Sequence, residues 1–284
     1  MSARSRRARR RSRGSRAWLV ALVVVIVVAS VAWLVHHRSN ASGGSAQATP
    51  TSVNVTFPEG LRREQIASIL AAKTHLSASR YLALTASGGE GEVLSGQKAP
   101  RSLEGFLFPA TYPIYPTTTV SEVINAQLTA YRNYTATVNY RYAESKNLSP
   151  YDVLIIASMV EREVAVPSER ALVAGVIYNR LRLGMTLGID STVQYALGYW
   201  KTNLTASDLQ IDSPYNTRRF YGLPPGPICN PGLASIEAAA NPAHVPYLYY
   251  VARSDGSDGH YFATTLPQFN VDVAKSDANL ARGG

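Results

Sequence analysis

Residues 17–35, AWLVALVVVIVVASVAWLV, contain no charged side chain, and no other stretch constrains the chain so strongly. At a rise of about 1.5 Å per residue, such a run covers the roughly 30 Å hydrocarbon core of a bilayer. Trp18 and Trp33 stand near its two ends, where aromatic rings favour the interface. The competing reading is a signal peptide cleaved near SAQA at 45–48, but the apolar core of a signal peptide normally spans about 7–15 residues. Eight arginines fall within residues 1–16 and account for most of the net charge of +9. The remainder is close to neutral, so a basic nucleic-acid surface is not expected on the folded part. Positive charge beside a span stays cytoplasmic, which puts residues 36–284 on the outer face of the cell membrane.

Beyond the span, SNASGGSAQATPTS at 39–52 has no apolar period and reads as a flexible linker. Folding is expected from Val53, where VNVTFPEG alternates like a short strand and LRREQIASILAAK places Leu61, Ile66, Ile69 and Leu70 at helical spacing. Residues 53–100 thus read as a small α/β module ending in a glycine-rich loop at 86–104. GFLFPATYPIYP, which follows, carries too many prolines for a regular helix. Helices are expected at Val120–Tyr131, at Asn139–Lys146, and from Ser149 through Val164. Ser149 with Asp152 fits a capping box there, and Pro150 suits the first helical position. Pro167 opens a further helix that Gly184 ends, and another short one covers 233–240. VPYLYYVARSDGSDGHYFA reads as two strands joined by a turn. Residues 101–274 are therefore expected to be mixed α+β, with 275–284 as a tail. Cys229 is the only cysteine and can form no internal disulfide. Among the histidines (His36, His37, His75, His244, His260) no pair has ligand spacing, so neither a metal site nor a cofactor is expected.

The chemistry concentrates in ASMVEREVAVPSER, residues 157–170, where Glu161 and Glu163 close an apolar run. Val153, Ile156, Ala157, Val160 and Val164 define a core stripe, and the two glutamates lie about 80° to either side of it. Periodicity does not choose between them. Glu163 follows Ile156, Met159 and Val160 on its face, whereas Glu161 follows Leu154, Ala157 and Ser158. The larger apolar neighbours favour a raised pKa, hence a general acid, at Glu163. The bland alternative is a pair of solvated acids bound to Arg162, Arg170 or Arg180. SPYNTRRFYGLPPGPICNPG at 213–232 is a long irregular loop with five prolines. Such a loop is either a binding wall or a rigid surface excursion. Tyr215, Asn216, Arg218 and Tyr221 in it offer flat faces and polar groups suited to sugars.

The motifs from ASMVEREVAVPSER through GMTLGIDSTVQYALG, SPYNTRRFYGLPPGPICNPG and GHYFATTLPQFN, together with LEGFLFPATY at 103–112, resemble the endolytic murein transglycosylase (YceG-like) family. The resemblance runs from about Val53 to Asn270. It implies one transmembrane helix at 17–35 and a LysM-like module within 53–100, shortened to about 53–85. It also implies an α+β catalytic domain over 101–274 that cleaves nascent glycan strands outside the membrane, and Glu163, the second glutamate of E-x-E, as the catalytic residue. Cys229 stands where a small residue is commoner, and Asn241 where histidine can precede Pro-Ala.

On that reading Glu163 protonates the oxygen between MurNAc and GlcNAc, then takes the proton from the MurNAc C6 hydroxyl as it closes onto C1. Glu161, Asp190, Thr192, Tyr215, Asn216 and Arg218 are the candidates for holding the sugar. Two alternatives stay open: a hydrolase that pairs Glu163 with Asp190 or Asp212, and a peptidoglycan-binding scaffold without catalysis. The expected partners are peptidoglycan strands, the membrane and cell-wall synthases.

Overall fold

The fold is built around one apolar helix. The computed structural model describes residues 51–87, 102–201 and 203–283. The arginine tail, Ala17–Val35 and nearly all of the linker lie outside the described residues. No helix among those described is long and apolar enough to cross a membrane.

Among the described residues the elements are, in chain order, β1 (Val53–Thr56), α1 (Arg63–Lys73), α2 (Ala78–Thr85) and β2 (Thr111–Ile114). Next come α3 (Val120–Thr135), α4 (Arg141–Glu144) and α5 (Pro150–Glu163), then a 3-10 turn at Pro167–Glu169 that leads into α6 (Arg170–Arg182). The chain closes with α7 (Asp190–Leu197), α8 (Leu233–Ala240), β3 (Tyr249–Ala252), β4 (His260–Ala263) and α9 (Leu266–Ala281). Among the described residues two antiparallel pairs, β1 with β2 and β3 with β4, are the sheets. The molecule is mixed α+β, as its sequence pattern requires.

Helix α5 starts where its capping box demands: Asp152 N–H donates to Ser149 Oγ and Ser149 N–H to Asp152 Oδ2. Every residue from Val153 to Val160 is buried. A helix enclosed all round has no single core stripe, so the wheel could not tell which flank carries the site. Helices α6, α7 and α8 pack against it.

The first strand does not close a unit of its own. Val53 pairs with Ile114 and Thr56 with Thr111, so β1 is completed by a strand from the proline-rich stretch beyond residue 100. Pro113 is tolerated because a two-stranded pair leaves each strand a free edge. Asn230 ties the same region to the later chain. Its Oδ1 accepts from Gly105 N–H (2.8 Å) and Leu107 N–H (2.9 Å), and its Nδ2 donates to Leu61 O (2.9 Å) and Glu104 Oε1 (2.7 Å). Burial pushes the Glu104 carboxyl up to about 8. The described residues form one compact unit. At the other end, α9 carries through the stretch expected as a tail: Thr265 caps it, Pro267 sits in its first turn, and its first half packs on the β3–β4 hairpin, with Phe269 stacked on Tyr249.

Candidate active site

Glu163 is the last residue of α5, where the helix runs out of the core into a cleft of about 500 Å³. Asp190 and Arg218 line this cleft with it, as do Arg180, Gly188, Tyr249, Tyr250 and His260. The side chain is half-buried: one edge meets the cleft and protein surrounds the rest. Tyr250 Oη donates to Glu163 Oε2 at 3.1 Å. Burial pushes the Glu163 carboxyl above the usual carboxylate range, and the charge of Asp190 adds to the rise, while contacts with Ser191 and Tyr250 oppose it. The Ser191 hydroxyl is buried and makes no well-aligned hydrogen bond of its own. Burial, and then the neighbouring Glu163, push the Tyr250 phenol well above its ordinary value, so it stays a proton donor. A carboxyl held protonated toward neutral pH and open to a cleft can deliver a proton.

The cleft wall follows from local structure. Residues β3 and β4 pair so that Tyr250 stands opposite Phe262 and projects from the face turned to Glu163. Arg180 braces the other side by donating to Leu248 O and Leu187 O, each at 2.6 Å. Gly188 adopts φ +65°, and a Cβ there would meet Arg180 Nη1 at 3.1 Å, so this bend keeps glycine. Asp190 begins α7 and accepts from Arg218 Nε at 2.5 Å, with both side chains substantially exposed.

Of the residues expected to hold a sugar, Asp190 and Arg218 line the cleft with Glu163. Thr192 does not: it is fully buried, donates to Ile189 O (2.6 Å) and meets the Thr217 hydroxyl at 2.9 Å. Asn216 is likewise fully buried and donates to Leu209 O and Ile211 O, which pins the loop. Tyr215 packs on the Tyr195 ring, centroids 4.7 Å apart, outside the cleft lining. Polar groups in an irregular loop serve its own backbone first, because turns leave carbonyls without ladder partners. Glu161 leaves α5 on another side, where Oε2 accepts from Gly232 N–H at 3.1 Å beneath the start of α8. Asp212 is 82% exposed, pairs with Arg219 at 3.5 Å and does not line the cleft. Cys229 fits a closed space and donates to Ser158 O, and burial pushes its thiol well above the ordinary range. Asn241 donates to Asn139 O. Among the described residues no cluster of three His, Cys, Asp or Glu is placed to hold a metal.

Sequence reasoning missed Tyr250, Arg180 and His260. The two-residue alternation of the predicted hairpin was the available signal, but nothing in it said which face would meet α5.

The model of the YceG-like family matches residues 37–275. The chain belongs to the YceG-like family. Its relatives include a Bacillus subtilis protein named endolytic murein transglycosylase, 35% identical over 240 residues, covering 78% of this chain and 65% of that one. A protein of the same name from Streptococcus pneumoniae is 34% identical over 250 residues, covering 80% of this chain and 45% of that one. The chain thus spans about two thirds of the first relative's length and under half of the second's. Among solved structures, a YceG-like protein from Listeria monocytogenes superposes with TM-score 0.69 at 33% identity, covering 78% of this chain and 76% of that one. In this YceG-like chain the helix end, the hairpin and the start of α7 converge on one carboxyl.

Proposed function

We propose that the chain is an endolytic peptidoglycan lytic transglycosylase that cleaves the MurNAc–GlcNAc bond of nascent strands and leaves a 1,6-anhydroMurNAc end. The observation that carries this reading is Glu163, a partly buried carboxyl with a raised pKa that receives the Tyr250 phenol in a 500 Å³ cleft. The names of the relatives in Bacillus subtilis and Streptococcus pneumoniae point the same way.

The protonated carboxyl donates to the glycosidic oxygen as C1 develops oxocarbenium character. The resulting carboxylate, steadied by Tyr250, takes the C6 hydroxyl proton as O6 bonds to C1, so one group serves both steps and water is not consumed. Asp190 is the other carboxyl in the cleft lining, and its engagement with Arg218 favours the one-carboxyl course over an acid paired with a free base. Glu161 belongs to scaffolding at the start of α8 on this reading.

Residues 1–35 would anchor the enzyme with the arginine tail in the cytoplasm and the catalytic part outside. Strand β1 with helices α1 and α2 supports a LysM-like glycan grip within 53–100, shortened to about 53–85. Cell-wall synthases are the partners such an enzyme would work beside.

The full chain in detergent, incubated with uncrosslinked glycan strands and analysed by mass, tests the reaction. Anhydro ends one water lighter than reducing ends are expected, lost in Glu163→Gln and retained in Glu161→Gln. Reducing ends would instead establish the two-carboxylate hydrolase, and unaltered strands bound by the protein a scaffold. Protease added to intact spheroplasts should remove residues beyond 36; their protection would reverse the topology.

A further inference from the structure

The hairpin carries a second polar group into the cleft that the reaction above does not use. Ala252 pairs with His260 and Tyr250 with Phe262, so His260, Tyr250 and Phe262 share one face of the pair. His260 is 8% exposed and lines the same cleft as Glu163. Its ring stands edge-on to Tyr250, centroids 5.4 Å apart, and Tyr250 is the donor to Glu163. Behind it lies Glu169, also buried, from the 3-10 turn six residues beyond Glu163. Both Glu169 oxygens serve His260: Oε1 accepts the backbone N–H at 3.0 Å and Oε2 lies 2.6 Å from Nδ1. Gly259 permits the approach, since a Cβ there would stand 3.2 Å from Glu169 Oε1.

A carboxylate only accepts, so the proton of a neutral imidazole sits on Nδ1. Nε2 is then a bare acceptor, and it makes no hydrogen bond to any described residue. An unpaired acceptor on a residue that lines a cleft gains from an occupant that supplies a donor. We propose that Glu169 and His260 form a substrate-holding pair in which Glu169 fixes the tautomer and His260 Nε2 accepts a hydroxyl or acetamido N–H from the glycan bound beside Glu163. The pair orients the sugar without exchanging a proton with it. This assignment rests on the reading of the cleft as a glycan site.

Glu169→Gln separates the pair's chemistry from its shape. Glutamine offers one acceptor and one NH₂, so with the backbone N–H of His260 on the oxygen the amide donates to Nδ1, and the ring proton moves to Nε2. Acceptor becomes donor with little change in volume. Imidazole ¹⁵N spectra of the full chain, with the His260 signals identified by their loss in His260→Asn, read the tautomer directly. The expected result is Nδ1–H in the parent and Nε2–H in Glu169→Gln. Binding of uncrosslinked glycan strands, measured in a Glu163→Gln background to prevent turnover, should weaken about tenfold or more in Glu169→Gln. His260→Asn keeps a donor toward Glu169 but has nothing at the Nε2 position; it should weaken binding equally and serves alone if Glu169→Gln does not fold. Nε2–H in the parent, or unchanged strand binding in a folded variant, overturns the proposal while leaving cleavage by Glu163 intact. A parent that neither binds nor cleaves strands overturns the glycan reading itself, even with the tautomer as expected.

Discussion

Tyr250→Phe removes one oxygen from the cleft and probes how Glu163 is tuned. Hydrogen bonds to charged groups contribute about 1.5–3 kcal/mol. At about 1.36 kcal/mol per factor of ten, complete loss in the transition state slows cleavage roughly 10- to 150-fold. The observed 3.1 Å is long for a phenol on a carboxylate, for which about 2.5–2.7 Å is usual, so the low end applies and the expected fall is about tenfold. The direction of the pH effect is also fixed. Tyr250 opposes the rise in the Glu163 pKa, so its removal lets that pKa rise further. The acid form then persists to higher pH. The rate measured as anhydro ends released from glycan strands should fall on its plateau, while its alkaline limb moves to higher pH. A full-rate plateau, or a limb displaced to lower pH, in a variant that melts near the parent would refute the view that this phenol steadies the ionised carboxyl.

Three further outcomes follow from the same contacts. Because burial raises the Glu163 pKa above its unfolded value, the native state holds this proton more tightly; the group's stability contribution is full below the unfolded pKa of about 4.3 and is lost as pH rises through the folded one. Glu163→Gln should therefore melt above the parent by a margin that grows with pH and vanishes below about pH 4, and a lower melting temperature at alkaline pH would contradict this. Asn230→Ala strands two backbone N–H groups, those of Gly105 and Leu107, while the Leu61 carbonyl keeps the backbone N–H of residue 230 and Glu104 Oε1 that of Arg63, so chemical denaturation should show a loss of about 2–5 kcal/mol, and a loss under 1 would mean that water replaces the amide. Gly105→Ala combines φ +90° with a Cβ placed 2.6 Å from Pro227 Cγ, and should cost about 2–5 kcal/mol by the same measurement; a near-neutral result would show that the Pro227 loop yields.

Sequence alone determined what depends on neighbours along the chain. Helix α5 begins at its Ser149–Pro150 signal, α8 covers the expected 233–240, and the hairpin falls where the Gly/Asp/Ser turn puts it, because capping and turn geometry are local properties. The E-x-E pair was legible as chemistry for a similar reason: carboxylates at the end of an apolar run are conspicuous wherever they point. Only the tertiary structure decided which glutamate meets the cleft. Helix α5 is buried on every side, so a hydrophobic stripe cannot rank its flanks, and the choice fell to its neighbours: Gly232 beside Glu161, Tyr250 and Asp190 beside Glu163. The same holds for the loop at 213–232, whose Asn216 faces its own backbone and whose Arg218 faces the cleft, two residues apart. It holds also for β1, which found its partner in a stretch some sixty residues on, and for Glu169 and His260, ninety-one residues apart. Residue type states what a side chain can do, but direction and partner are set by long-range packing, which no local pattern encodes.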